Sequence, residues 1–127
     1  MVRIFSNEKF DQYLTLNTQK CEDLFVSPHP EAFLGLDIGS TTVKLALLDA
    51  EGTVVETMYR RHGTAVRATL SDLLNELAQK YPLLAVRCAI TGSGALDLGE
   101  ALGLPFVQEL LATARAVAVA APQTNVA

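Results

Sequence analysis

The stretch Phe33-Leu34-Gly35-Leu36-Asp37-Ile38-Gly39-Ser40-Thr41-Thr42-Val43-Lys44 constrains the fold of this chain more than any other. Phe33–Ile38 reads as a buried strand, and Gly39-Ser40-Thr41 supplies turn-forming residues directly after it. Val43–Leu48 then alternates as a returning strand and runs into Asp49-Ala50-Glu51-Gly52, a second hairpin turn. The β-branched residues and the tyrosine of Thr53–Arg61 predict a third strand. A chain that starts its core this way builds a sheet from antiparallel hairpins, and it places one carboxylate, Asp37, at the end of the first buried strand.

After Gly63 the apolar spacing changes to the helical period. Val66, Leu70, Leu73, Leu74 and Leu77 share a face, and Pro82 closes that helix. Leu83–Ile90 reads as the next buried strand. Thr91-Gly92-Ser93-Gly94 makes a tight turn into a helix over Ala95–Leu102, with Gly103 at its left-handed C-terminal position. Pro105 and Phe106 begin an extended link, and Gln108–Ala121 predicts a last helix stopped by Pro122. The expected order is three antiparallel strands, a helix, a strand and two helices, without internal repeats. Residues 1–31 are mixed-polar, are broken by Ser27-Pro28-His29-Pro30, and read as an N-terminal arm or short helix. The division that follows is an arm over 1–31, one lobe over 32–122 and a tail over 123–127.

Half of the 127 residues are apolar and few are aromatic, which suits an aliphatic core in a sheet covered by helices. A formal charge of −4 without a basic run argues against nucleic acid as a partner. The first ten residues hold no signal-peptide core, and no apolar run reaches the ~20 residues of a membrane span, so a soluble cytoplasmic protein is expected. Cys21 and Cys88 form no CxxC pair, and Cys88 lies in an apolar run as a buried thiol would.

Chemistry concentrates at the first turn. Burying Asp37 costs several kcal/mol unless it is paired or faces a cation. A metal-bound phosphate supplies that cation, with Asp37 acting through metal-bound water. Gly39 lets a phosphate approach the backbone, Ser40, Thr41 and Thr42 offer amides and hydroxyls in a nest, and Lys44 adds positive charge from the returning strand. The same residues also fit an ordinary hairpin with a polar tip. No GxxxxGK[ST] loop is present. Gly92, Ser93 and Gly94 form a second turn where a strand meets a helix; it reads either as an anion contact or as a tight connection without a ligand. Glu109 either caps the last helix and balances its dipole or orients an attacking water. His29 and His62, with no nearby cysteine or carboxylate cluster, read as solvated or structural residues.

The segment LGLDIGSTTVKLALLD resembles the first phosphate motif of the superfamily of acetate and sugar kinases, heat-shock chaperones and actin. YRRHG, ITGSGA and PFVQELLATARAV resemble a narrower group, the BadF/BadG/BcrA/BcrD-type ATPases that activate 2-hydroxyacyl-CoA dehydratases and benzoyl-CoA reductases. They also resemble the longer CoA-substrate-specific activase-like proteins. The resemblance spans about residues 33–121. It implies a ribonuclease-H-like α/β lobe of actin-like ATPase type, with a mixed sheet, leading antiparallel strands and covering helices. It further implies ATP or ADP with Mg, with Asp37 positioning the metal, Gly39–Thr42 gripping phosphates, Lys44 supporting them and Glu109 contributing to catalysis. Family members pair as homodimers or tandem units around a 4Fe–4S iron–sulfur cluster and pass an electron to a partner dehydratase or reductase. The second phosphate motif would begin just after Ala127, and neither Cys21 nor Cys88 sits where the cluster cysteines should be. The expectation is therefore a first lobe that needs a second lobe or subunit and is inactive alone. Two other readings are a non-catalytic actin-like lobe that docks a partner, and a lobe of a sugar- or acetate-type kinase.

Overall fold

The computed structural model describes residues 3–5, 32–82 and 84–124. A five-stranded sheet has the order β1-β5-β2-β3-β4. Its strands are β1 (Arg3–Phe5), β2 (Ala32–Ile38), β3 (Thr42–Asp49), β4 (Val54–Arg61) and β5 (Ala85–Thr91). Strands β2, β3 and β4 form the expected antiparallel meander, while β5 joins β2 in parallel and β1 joins β5 in parallel. The second hairpin is closed by Asp49, whose Oδ1 accepts the amides of Glu51 at 3.1 Å and Thr53 at 2.8 Å. That side-chain mimicry of a turn carbonyl is why Asp opens the segment.

The chain order predicted from periodicity holds from β2 onward. What periodicity did not indicate is β1: three residues of the N-terminal arm pair along the outer edge of β5. A strand this short carries no readable alternation, and its pairing is decided by the unpaired edge that β5 offers. Residues 1–2 and 6–31, which hold the rest of the predicted arm, lie outside the described residues, as do Leu83 and residues 125–127.

Alternation sorts the sheet into two unlike faces. Leu34, Leu36 and Ile38 of β2, Val43, Leu45 and Leu47 of β3, and Val86, Cys88 and Ile90 of β5 all point to one face and are buried. Two helices cover it: α1 (Val66–Lys80), through Leu70, Leu73 and Leu77, and α2 (Leu96–Leu102), through Leu98. Each such side chain contributes roughly 1.5–3 kcal/mol on leaving water. Ion pairs from Arg60 to Glu76 at 2.7 Å and from Lys80 to Glu56 at 3.1 Å align α1 along β4. Gly103 ends α2 in the left-handed conformation, with φ 64°.

The other face is open. Gly35, Ala46 and Ala89 floor it with small residues, and α3 (Glu109–Ala120) stands over it without one buried residue. A cavity of about 760 Å³ separates this helix from the sheet. The chain reaches α3 through a short extended link in which Val107 N–H donates to Ile90 O at 2.8 Å and Ile90 N–H to Pro105 O at 3.0 Å. No helix among the described residues is long and apolar enough to cross a membrane.

Candidate functional site

Parallel pairing of β2 with β5 brings their C-terminal ends together, so the turns that follow them lie side by side. Asp37 is the register partner of Thr91 on β5 and of Lys44 on β3, and Lys44 is the partner of Tyr59 on β4. Thr91, Asp37, Lys44 and Tyr59 therefore form one polar row across the open face, and all four line the cavity beneath α3.

Asp37 is held asymmetrically. Its Oδ2 accepts Lys44 Nζ at 3.1 Å. Its Oδ1 is buried and has no hydrogen-bond partner among the described residues, and the same is true of Thr91 Oγ1. A carboxylate oxygen and a hydroxyl left bare on neighbouring register positions are costly at about 1–3 kcal/mol each. Metal-bound water satisfies both kinds of atom, so the residues present fit a hydrated divalent cation at this point. Lys44, expected to support phosphate, pairs with this carboxylate.

The first turn is a tight loop whose Gly39 N–H donates to Thr42 O at 2.8 Å. Ser40 and Thr41 are exposed at its tip, whereas Thr42 is buried beneath it. A Cβ on Gly39 would stand 3.3 Å from Thr42 Oγ1 and 3.4 Å from Thr42 O, so the loop is closed against Thr42. Of the three hydroxyl residues named from the sequence, Ser40 and Thr41 face outward and Thr42 faces inward.

The second turn packs onto the first. Gly92 adopts φ +110°, and a Cβ there would lie 2.3 Å from Ile38 O. Gly94 N–H donates to that same Ile38 carbonyl at 3.0 Å, and Ala95 N–H donates to Gly92 O at 3.1 Å. The amides of Gly94 and Ala95 are thus committed to internal bonds, which makes this turn a buttress that seats β2 and its loop. Ser93 is its exposed side chain.

Glu109 is exposed in the first turn of α3, where its charge complements the helix dipole. The structure does not place it among the residues lining the cavity with Asp37. Cys88 faces the core from β5, and burial pushes its thiol up to about 12. A thiol kept protonated in this way is a poor nucleophile at neutral pH. Of the two roles expected for His62, solvated or structural, the structure shows the structural one. It is buried at the end of β4, and its ring is bonded to Gly39 O at 3.1 Å. Only the pairing of β3 with β4 brings this histidine under the loop.

The sheet order and covering helices are those of a ribonuclease-H-like lobe, and the solved structures that this chain resembles are actin-like ATPase fold proteins. One is the activator of the 2-hydroxyisocaproyl-CoA dehydratase from Clostridium difficile with bound ADPNP. It is 28% identical with a TM-score of 0.55, over 68% of this chain and 32% of that one. Another is a ROK family transcriptional regulator, a homolog of the E. coli MLC protein. It is 22% identical with a TM-score of 0.50, over 69% of this chain and 30% of that one, a likeness of fold alone. The chain thus corresponds to about a third of each of these proteins. No protein-family model matches the sequence, and no curated protein matches it.

Proposed function

We propose that this chain is the phosphate-binding lobe of an ATP-dependent activator that energises electron transfer to a dehydratase or reductase acting on a CoA substrate. The observation that carries the reading is Asp37, with one oxygen tied to Lys44 and the other bare, at the end of β2 and directly before the Gly39–Thr41 loop. That is the arrangement a lobe needs to hold Mg through water and to grip phosphate with backbone amides. The likeness to a dehydratase activator with bound ADPNP supports it. Ser40, Thr41 and Ser93 are the exposed donors nearest the two turns, and Thr91 joins Asp37 toward the cation. The cluster is no part of this reading, because neither Cys21 nor Cys88 falls where the family's cluster cysteines do. The adenosine side and the attacking water are assigned to a second lobe or subunit, and hydrolysis requires it. Glu109 contributes to catalysis only if that unit carries it toward Asp37. The protein acts in the cytoplasm, and the second unit is a further lobe or a second copy of the chain.

Titration of Mg·ATP followed through backbone amide shifts tests the reading. Shifts confined to residues 37–44 and 91–95 in the parent, and their loss in Asp37→Asn, are the expected result. Equal shifts with and without Mg, or unchanged binding by Asp37→Asn, would overturn it.

A second reading, a lobe that docks a partner without turnover, is favoured by α3. This helix exposes Leu110 at 79% and Val119 at 69%. A monomer at all concentrations in sedimentation counts against it.

A further inference from the structure

His62 is the one described histidine and neither binds nor catalyses in the reading above, yet its ring and its backbone amide together make three hydrogen bonds. Its backbone N–H donates to Thr41 O at 3.0 Å. Thr64 N–H donates to its Nδ1 at 3.1 Å. Its Nε2 lies 3.1 Å from Gly39 O. An amide can donate only to a bare ring nitrogen, so the bond from Thr64 assigns the proton to Nε2, and Nε2–H then donates to Gly39 O. One neutral imidazole and its own backbone amide therefore grip both ends of the Gly39-Ser40-Thr41 tip.

The turn that aims this ring is itself under strain. Gly63 and Thr64 have φ of 49° and 74°, and Thr64 is the only non-glycine residue with positive φ among those described. A left-handed threonine costs about 1–3 kcal/mol and persists only where surrounding contacts hold it. Here the contact that holds it is the bond from its N–H to the imidazole, so the unusual backbone and the ring orientation support one another.

The consequence for the tip follows from peptide geometry. In a planar trans peptide the carbonyl and the following N–H point in opposite directions. Fixing Gly39 C=O toward His62 therefore fixes Ser40 N–H away from it, on the exposed side of the loop. Without that anchor the peptide after a glycine rotates easily, because glycine is the residue least restricted in φ and ψ. Ser40 N–H makes no backbone hydrogen bond among the described residues, so it is a donor aimed outward.

We propose that His62 is a positioning residue for the phosphate grip: its neutral ring holds the Gly39 carbonyl so that the Ser40 amide is presented to a phosphate oxygen. The proposal rests on the nucleotide-phosphate reading of this loop, and its test separates the two. Glutamine places an amide N–H near the position of Nε2, and asparagine places an acceptor near the position of Nδ1. His62→Gln thus keeps the bond to Gly39, and His62→Asn keeps the bond from Thr64. The expected result is that His62→Gln binds Mg·ATP within about threefold of the parent. His62→Asn should lose about tenfold, the worth of one hydrogen bond, and exchange its Ser40 amide hydrogen faster. Asparagine binding as well as the parent, or glutamine binding as poorly as asparagine, would overturn the proposal. If the parent fails to bind Mg·ATP, the nucleotide reading falls, while Ser40 exchange in the two variants still decides whether His62 orders the tip. Should both variants fail to fold, nitrogen-15 shifts of the His62 ring in the parent decide, since a proton on Nδ1 in the neutral protein is incompatible with the proposed bonds.

Discussion

Gly92→Ala is the substitution that most directly tests how the site is assembled. The new methyl would meet Ile38 O at 2.3 Å, Ile38 C at 2.6 Å and Ile38 N at 2.7 Å, all of them backbone atoms that cannot rotate away. Two costs add. Holding an L-residue at φ +110° costs about 1–3 kcal/mol, and forcing β2 and the second turn apart costs about 1–3 kcal/mol more. A loss of roughly 2–6 kcal/mol is a large part of the 5–15 kcal/mol typical of a domain. Gly52→Ala supplies the control, because Gly52 has φ +87° with nothing within 4 Å of its added Cβ and so reports the conformational cost alone. Urea unfolding followed by far-ultraviolet circular dichroism measures both variants. The difference between them should be about 1–3 kcal/mol, and in the surviving folded fraction of Gly92→Ala the amide of Gly94 should exchange quickly as its bond to Ile38 O is lost. Equal destabilisation by the two substitutions would refute the claim that the second turn is seated on the Ile38 backbone.

Two further outcomes follow from the packing and the titration of the core. Leu77→Ala, at a fully buried position of α1, should cost about 2–5 kcal/mol, while Leu110→Ala, 79% exposed on α3, should stay within about 0.5 kcal/mol; the same urea experiment checks both. For Cys88 the folded value is raised from 9.0 to about 12, so the folded protein holds this proton more tightly. The resulting stability is fully present below pH 9.0 and is lost as pH rises toward 12, by at most about 1.4 kcal/mol per pH unit. Cys88→Ala should remove that part of the alkaline loss, and peptide mapping after iodoacetamide at neutral pH should find Cys88 unmodified until the protein unfolds.

The hairpin of β2 and β3, the amphipathic α1 and the stops at Gly103 and Pro122 were legible because each rests on local chemistry: a period of two or of 3.6, a turn residue, a missing N–H. Asp37 was legible for the same reason, since a carboxylate in an apolar strand beside a glycine turn calls for a partner wherever it folds. Its actual partner was less so. Lys44 was expected to face phosphate, and it reaches Asp37 because antiparallel register sets the two directly opposite each other. Thr91 reads from the sequence only as the start of the second turn, because a threonine at a strand end is ordinary until parallel pairing with β2 leaves its hydroxyl bare beside Asp37.

The local pattern of residues thus determined which segments become strands and helices, where the chain turns, and that the loop after β2 carries the chemistry. Tertiary structure alone decided that the second glycine turn buttresses the first, that His62 sits beneath the loop, and that one sheet face stays open under α3. The division has one cause. Periodicity and turn chemistry are written within a few neighbouring residues. The contacts between Gly92 and Ile38 and between His62 and Gly39 join residues far apart in the chain, whose meeting depends on strand order and register.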